Sequence, residues 1–201
     1  GDQYNASALE ALEVAKTLGD QVILLGTSNG GTLSLLLGDD PKVAIIGLYS
    51  PNIRIKNQLT GIGTLPWGLE ITTFALGTNY HLMQDVVSPK EQFWTTRYHI
   101  QAITHVQKLI EVAMTPETFE KIKKPVFMGY YYKDEINQDN VVSVEAMLSM
   151  FEQLGTMASQ KEKMAFPKSG NHVMTSYITS KDVEGVTKES IRFFKTHLTA
   201  Q

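Results

Sequence analysis

Apolar residues fall along the chain in two patterns, short continuous runs and longer stretches with helical spacing. The continuous runs cover residues 22–25, 43–49, 125–132 and 163–167, and such runs are typical of buried parallel strands. Helical spacing predicts one helix that ends at Gly19, one at 33–37, a long one at 91–114, a short one that begins at 115–118, and others at 144–154 and 183–198. Alternating strands and helices predict an α/β fold with a mostly parallel sheet flanked by helices.

The stretch between the second and third predicted strands follows neither pattern well. From residue 51 to about residue 89, glycines and prolines interrupt apolar and aromatic residues, before the long helix at 91–114. Long irregular stretches inside a domain are commonly lids or binding loops, so residues 51–114 are predicted to form a cap or lid inserted in one domain of residues 1–201. Trp67, Phe74 and Tyr80 could line an acyl or alcohol pocket there, although most are expected to pack the cap against the sheet.

Composition excludes several classes of function. The net charge of −3 gives no basis for binding nucleic acid or an anionic membrane surface, and no apolar run approaches the roughly 18 residues of a membrane span. There is no cysteine, which excludes disulfides and thiolate catalysis. The histidines show no metal-ligand spacing, so neither a metal nor a cofactor is expected.

The first predicted strand runs into a distinctive turn. Gly26-Thr27-Ser28-Asn29-Gly30 fits the pattern G-x-S-x-G between a strand and a helix, in which the serine occupies a strained backbone conformation. Glycines two residues away on each side are expected to remove Cβ atoms that would crowd the serine. The alternative is an ordinary Ser-Asn-Gly turn, whereas a P-loop is excluded because no Gly-Lys-Ser/Thr follows.

Two further loops carry chemistry at the same edge of the predicted sheet. An acidic loop with Asp134 and Asp139 follows the third strand, and His172 lies in a turn after the fourth. Carboxyl ends of parallel strands share one edge, so these loops would bring a hydroxyl, a carboxylate and an imidazole together. As an alternative, Asp139 could be no more than the N-cap of the next helix, a position that Ser143 could also fill. His172 could likewise be an ordinary surface residue of its turn.

The chain resembles the α/β-hydrolase family over nearly all of its length. The resemblance rests on the Gly26–Gly30 motif, on Asp139-Asn140-Val141-Val142-Ser143 and on Gly170-Asn171-His172, in the Ser, Asp, His order of that family. It implies a serine esterase without a cofactor that cleaves a carboxylic ester or related acyl bond of a small molecule through an acyl-enzyme. In that mechanism Ser28 is the nucleophile, His172 the base, Asp139 its partner in preference to Asp134, and the Asn29 N–H an oxyanion donor. An acyltransferase with the same triad and a non-catalytic binding module are the alternatives.

The chain also departs from that family, because only a helix precedes the Gly26–Gly30 motif. We therefore expect the C-terminal part of an α/β-hydrolase fold, truncated at its N-terminus and without the loop that supplies the second oxyanion donor. Weak activity of this chain by itself is the expected result. The strand before Ser28 would lie at an exposed, apolar sheet edge, which favours a homodimer formed through that edge.

Overall fold

The structure, a computed structural model, describes residues 2–57, 64–83 and 88–198. Its strands are β1 (Val22–Thr27), β2 (Val43–Tyr49), β3 (Tyr80–Leu82), β4 (Arg97–His99), β5 (Val126–Tyr130) and β6 (Lys161–Ala165). Its helices are α1 (Asp2–Leu18), α2 (Asn29–Leu37), α3 (Gly68–Leu76), α4 (Ser88–Glu91), α5 (Ile100–Ala113), α6 (Pro116–Lys121), α7 (Val144–Gln153) and α8 (Val183–Leu198). A short 3₁₀ turn, Ala158–Gln160, precedes β6.

The main sheet has the order β1-β2-β5-β6, and all of its strand pairs are parallel. Every residue of β2 is buried, as expected for an inner strand covered on both faces. The predicted mostly parallel sheet is therefore confirmed. Within the described residues β1 pairs only with β2, so β1 forms one edge of this sheet.

Side chains of the inner strands alternate between two hydrophobic layers. On one face, Ile46 and Met128 pack with residues of α1, α2, α6 and α7. On the other face, Ile45 and Phe127 pack with α8, where the rings of Phe127 and Phe193 lie 5.6 Å apart. This alternation follows from the two-residue period of a strand, and it holds the strand ends rigidly between two helical layers.

The described residues of the segment 51–114 are more regular than predicted. The helix predicted at 91–114 begins only at Ile100, because residues 97–99 form β4 and pair antiparallel with β3. The Arg97 guanidinium lies 4.0 Å from the centre of the Tyr80 ring across this hairpin. A further difference is α3, an unpredicted helix that ends at Gly77, whose φ of 64° is the left-handed conformation of a helix C-cap.

The aromatic residues of that segment do not pack as predicted. Trp67 is 76% exposed, Phe74 is 90% exposed and Tyr80 is 42% exposed. The prediction that these side chains mostly bury the segment against the sheet is wrong. An apolar residue in a segment without clear periodicity gives no information about which side faces the core.

Candidate active site

Ser28 lies in the turn between β1 and α2 with φ 56° and ψ −121°. Its backbone N–H donates to the Tyr49 carbonyl at 3.1 Å, and its carbonyl accepts from the N–H groups of Gly31 and Asn52, both at 2.9 Å. A non-glycine residue at positive φ costs on the order of 1–3 kcal/mol, and it persists because these hydrogen bonds fix the turn. The half-buried side chain of Ser28 is thus presented at the apex between the strand and the helix.

The glycines around Ser28 have unequal roles. A Cβ on Gly26 would lie 2.4 Å from the carbonyl carbon of Gly30, so glycine is required there by direct backbone contact. A Cβ on Gly30 would meet nothing within 4 Å, and the expectation that Gly30 relieves crowding is therefore wrong. The second sterically required glycine is Gly31, where a Cβ would lie 2.6 Å from Cβ of Pro51.

Asn29 is the first residue of α2. Backbone N–H groups in the first turn of a helix have no acceptor within the helix, and the helix dipole favours negative charge at that end. The Asn29 N–H thus has the electrostatic character that an oxyanion requires. The side chain of Asn29 is held separately, because its Oδ1 accepts from Nδ2 of Asn52 at 2.8 Å.

Asp139 and His172 form a buried pair. Nδ1 of His172 donates to Oδ2 of Asp139 at 2.7 Å, and the residues are 8% and 0% exposed. Oδ1 of Asp139 accepts from the N–H groups of Val141 at 2.9 Å and Val142 at 3.1 Å. Burial acts to raise the pKa of Asp139, but the hydrogen bond and charge of His172 and these two backbone donors outweigh it, so its pKa lies below the ordinary value.

Asp134, the alternative acid, is occupied within its own loop. Its carboxylate accepts from the backbone N–H groups of Ile136 and Asn137 and from the Asn137 side chain. These donors, with the Asn137 N–H first, hold the pKa of Asp134 below its ordinary value. The helix after the loop begins with Ser143, whose Oγ accepts from the Ala146 N–H at 3.2 Å. Asp139 is therefore not needed as the cap of α7.

The three candidate residues follow three parallel strands at their carboxyl ends. Ser28 directly follows β1, Asp139 lies in the loop after β5, and His172 lies in the turn after β6. The structure joins Asp139 to His172, but no hydrogen bond joins Ser28 to His172. Nε2 of His172 is buried and has no hydrogen-bond partner among the described residues. This nitrogen is the one that a base would offer to the serine hydroxyl, and such contacts are often long in the absence of substrate.

Two of the remaining histidines, His99 and His197, make contacts typical of structural residues. His99 was predicted inside the long helix but is the N-cap of α5, where its Nδ1 accepts from the Gln101 N–H at 3.2 Å. His197 stacks on Phe193 with ring centres 4.3 Å apart. Within residues 2–57, 64–83 and 88–198, no three His, Asp or Glu side chains are grouped as they would be to hold a metal ion.

Asn52 touches the turn of Ser28 and was not predicted from the sequence as part of the site. Asn52 is 4% exposed and follows the carboxyl end of β2, at the start of the segment that was predicted as a cap or lid. The rule that placed Ser28, Asp139 and His172 at strand ends also applies to Asn52. The position of Asn52 just after a predicted strand was therefore the feature of the sequence that could have identified it.

Solved structures resemble this chain over most of its length. A metagenome-derived lipolytic enzyme, from work on LipS and LipT, has a TM-score of 0.72 at 17% identity, with 98% of this chain and 74% of the other covered. The monoacylglycerol lipase of Paleococcus ferrophilus has a TM-score of 0.64 at 18% identity, with coverages of 95% and 74%. The chain has the α/β-hydrolase fold. A soluble variant of monoglyceride lipase from Saccharomyces cerevisiae has a TM-score of 0.61 at 11% identity, with coverages of 98% and 68%.

No protein-family model matches the sequence, and no curated protein does. The α/β-hydrolase fold predicted from the three motifs is thus confirmed by structural similarity, at identities too low to transfer an activity. No helix in the described part of the chain has both the length and the apolar character needed to cross a membrane.

Proposed function

We propose that this chain is a serine hydrolase that cleaves a carboxylic ester or related acyl bond of a small molecule. The observation that carries the proposal is the buried Asp139–His172 pair, in which Nδ1 of His172 is held at 2.7 Å while Nε2 has no partner among the described residues. A buried carboxylate that accepts from Nδ1–H fixes the tautomer in which Nε2 can accept a proton. Ser28, in its left-handed turn at the same sheet edge, is the hydroxyl group that this base serves.

The proposed reaction has two halves. Oγ of Ser28 attacks the ester carbonyl while Nε2 of His172 takes the hydroxyl proton, and the imidazolium that forms is stabilised by Asp139. His172 then gives this proton to the departing alcohol oxygen, which leaves an acyl group on Ser28. Water attacks the acyl-enzyme with His172 again as base, and the acid is released with the serine hydroxyl restored.

The oxyanion of each tetrahedral intermediate would lie at the start of α2. The Asn29 N–H is the proposed donor, supported by its place in the first turn and by the helix dipole. Loss of one donor from such a site costs about 10²–10³-fold in kcat. Slow ester turnover by this chain by itself remains a prediction of the proposal.

A fluorophosphonate probe tests the nucleophile directly. Wild-type protein is expected to be labelled on Ser28, and Ser28→Ala and His172→Gln are expected to abolish labelling. Ser159→Ala, which changes an exposed serine far from these loops, is the matched control and should label normally. Folded protein that neither labels nor hydrolyses esters would support the non-catalytic binding module. Efficient transfer of the acyl group to an added alcohol in place of water would support the acyltransferase.

The proposal also includes a homodimer through the edge strand β1. Leu25 is 62% exposed and Ile23 is 39% exposed on this strand, and an apolar groove of about 380 Å³ lies between β1 and α8. An exposed apolar edge strand readily pairs with another strand, and two copies related by a two-fold axis would pair their β1 strands antiparallel. Sedimentation that shows a monomer at high concentration would contradict this assembly.

A further inference from the structure

The segment after β2 makes close contacts with the turn that carries Ser28. The backbone N–H of Asn52 donates to the Ser28 carbonyl at 2.9 Å, and its carbonyl accepts from Oγ1 of Thr32 at 2.6 Å. Its side-chain Nδ2 donates to Oδ1 of Asn29 at 2.8 Å. Asn52 is therefore hydrogen-bonded to Ser28, to Asn29, which carries the proposed oxyanion donor, and to Thr32 in the first turn of α2.

The same segment is fixed at its other end to the loop of Asp139. The N–H of Lys56 donates to the Val141 carbonyl at 2.9 Å, and Nζ of Lys56 donates to the Asp139 carbonyl at 2.8 Å. The Ser143 N–H donates to the Arg54 carbonyl at 2.9 Å. One short segment is therefore hydrogen-bonded both to the turn of Ser28 and to the loop that holds Asp139.

The side chain of Asn52 is not explained by stability alone. Its Oδ1 is buried and has no hydrogen-bond partner among the described residues. A buried polar atom without a partner is unfavourable, and an apolar side chain of similar size would avoid that cost. Among the residues that the structure describes, the side chain of Asn52 is hydrogen-bonded to Asn29, and this bond is the contribution that an apolar residue could not replace.

We propose that Asn52 is a positioning residue that holds Asn29, and with it the proposed oxyanion N–H, relative to the Ser28 hydroxyl. This inference rests on the function proposed above. It adds a side chain that never touches substrate but sets the geometry in which the developing oxyanion is bound. Interactions of this kind act in the transition state, so their loss lowers kcat and leaves KM nearly unchanged.

A double-mutant cycle tests the proposal. Asn52→Ala and Asn29→Ala each remove the side-chain bond and keep both backbone N–H groups. Each is expected to lower kcat for a p-nitrophenyl ester about tenfold, less than the 10²–10³-fold loss of a whole donor. The double variant should lose the same tenfold, because both changes remove one interaction. Thr156→Val is the matched control, since Thr156 is also 4% exposed and its Oγ1 bonds only distant carbonyls of Ile122 and Lys124.

A second measurement does not depend on activity. Backbone ¹⁵N order parameters of Asn29 and Gly30 should fall from about 0.85 toward 0.6 in Asn52→Ala, and should not change in Thr156→Val. Should that fall occur in a protein that neither labels nor turns over ester, the proposed function fails while the positioning of the turn is supported. If Asn52→Ala does not fold, Asn29→Ala removes the same bond from a half-buried site and carries the test.

Three results would overturn the inference. The first is a folded Asn52→Ala with unchanged kcat and unchanged order parameters. The second is a hundredfold loss in the double variant, because additive losses would mean that the two side chains act separately. The third is a rise in KM at constant kcat, which would indicate a substrate contact.

Discussion

The replacement of Asp139 by asparagine tests the proposed triad most sharply, because the structure dictates how the new amide would lie. Oδ1 of Asp139 accepts from two backbone N–H groups, those of Val141 and Val142. The carbonyl oxygen of an asparagine would keep these two donors, which turns its NH₂ group toward Nδ1 of His172. That nitrogen must then be an acceptor, so the imidazole proton moves to Nε2, where it blocks acceptance of the Ser28 proton.

The expected loss is large. In a serine protease the equivalent change of tautomer lowers kcat roughly 10⁴-fold, which corresponds to about 5.5 kcal/mol of transition-state stabilisation. We expect a loss of that order for Asp139→Asn, measured as kcat on a p-nitrophenyl ester and as the rate of fluorophosphonate labelling. Loss of a charged hydrogen bond should also cost about 1.5–3 kcal/mol of stability, so the assay temperature must lie well below the Tm of the variant.

Asp134→Asn is the matched control for this experiment. It makes the same chemical change in the same loop, at a carboxylate whose hydrogen bonds go only to Ile136 and Asn137. Its kcat should stay within about twofold of wild type, because surface changes away from the site have small effects. An inactive Asp134→Asn, or a folded Asp139→Asn that keeps kcat within tenfold of wild type, would contradict the proposed triad.

Three further predictions concern stability and assembly. Gly26→Ala should destabilise the protein by more than about 3 kcal/mol, because its Cβ would meet backbone at 2.4 Å. Gly30→Ala should instead stabilise the protein by no more than about 1 kcal/mol. Thermal unfolding of the two variants measures both effects. The lowered pKa of Asp139 stabilises the folded state above the ordinary carboxyl pKa of about 4, and this stabilisation is lost as pH falls through the folded-state pKa. The free energy of unfolding, measured with urea between about pH 3 and pH 5, should therefore depend less steeply on pH in Asp139→Asn than in wild type. Equal slopes in the two proteins would argue against this contribution. Leu25→Lys places a charge on the exposed edge strand β1 and should convert the proposed dimer to a monomer, as measured by sedimentation velocity. A dimer that persists in this variant would exclude this edge as the interface.

Features of the fold that depend on local pattern could be predicted from the sequence. A continuous apolar run identifies an inner strand because both of its faces are buried, and residues 43–49 are β2 without any change of boundary. Caps and amphipathic spacing determine helices in the same local way, so Ser143 begins α7 and residues 183–198 form α8. Because the carboxyl ends of parallel strands share one edge, the sequence then predicted that Ser28, Asp139 and His172 lie at that edge.

Other features depend on contacts between segments that lie far apart in the chain. Residues 97–99 have helical spacing in the sequence, but pairing with β3 and the contact of Arg97 with Tyr80 make them a strand. The hydrogen bond that joins His172 to Asp139 and not to Asp134 is likewise a contact between distant segments, because the two residues are 33 positions apart in the sequence. A Cβ would clash at Gly31 and not at Gly30, since the crowding atom is in Pro51 on a different loop. Local patterns determine the conformation of a segment, whereas contacts between segments distant in sequence depend on how the whole chain packs.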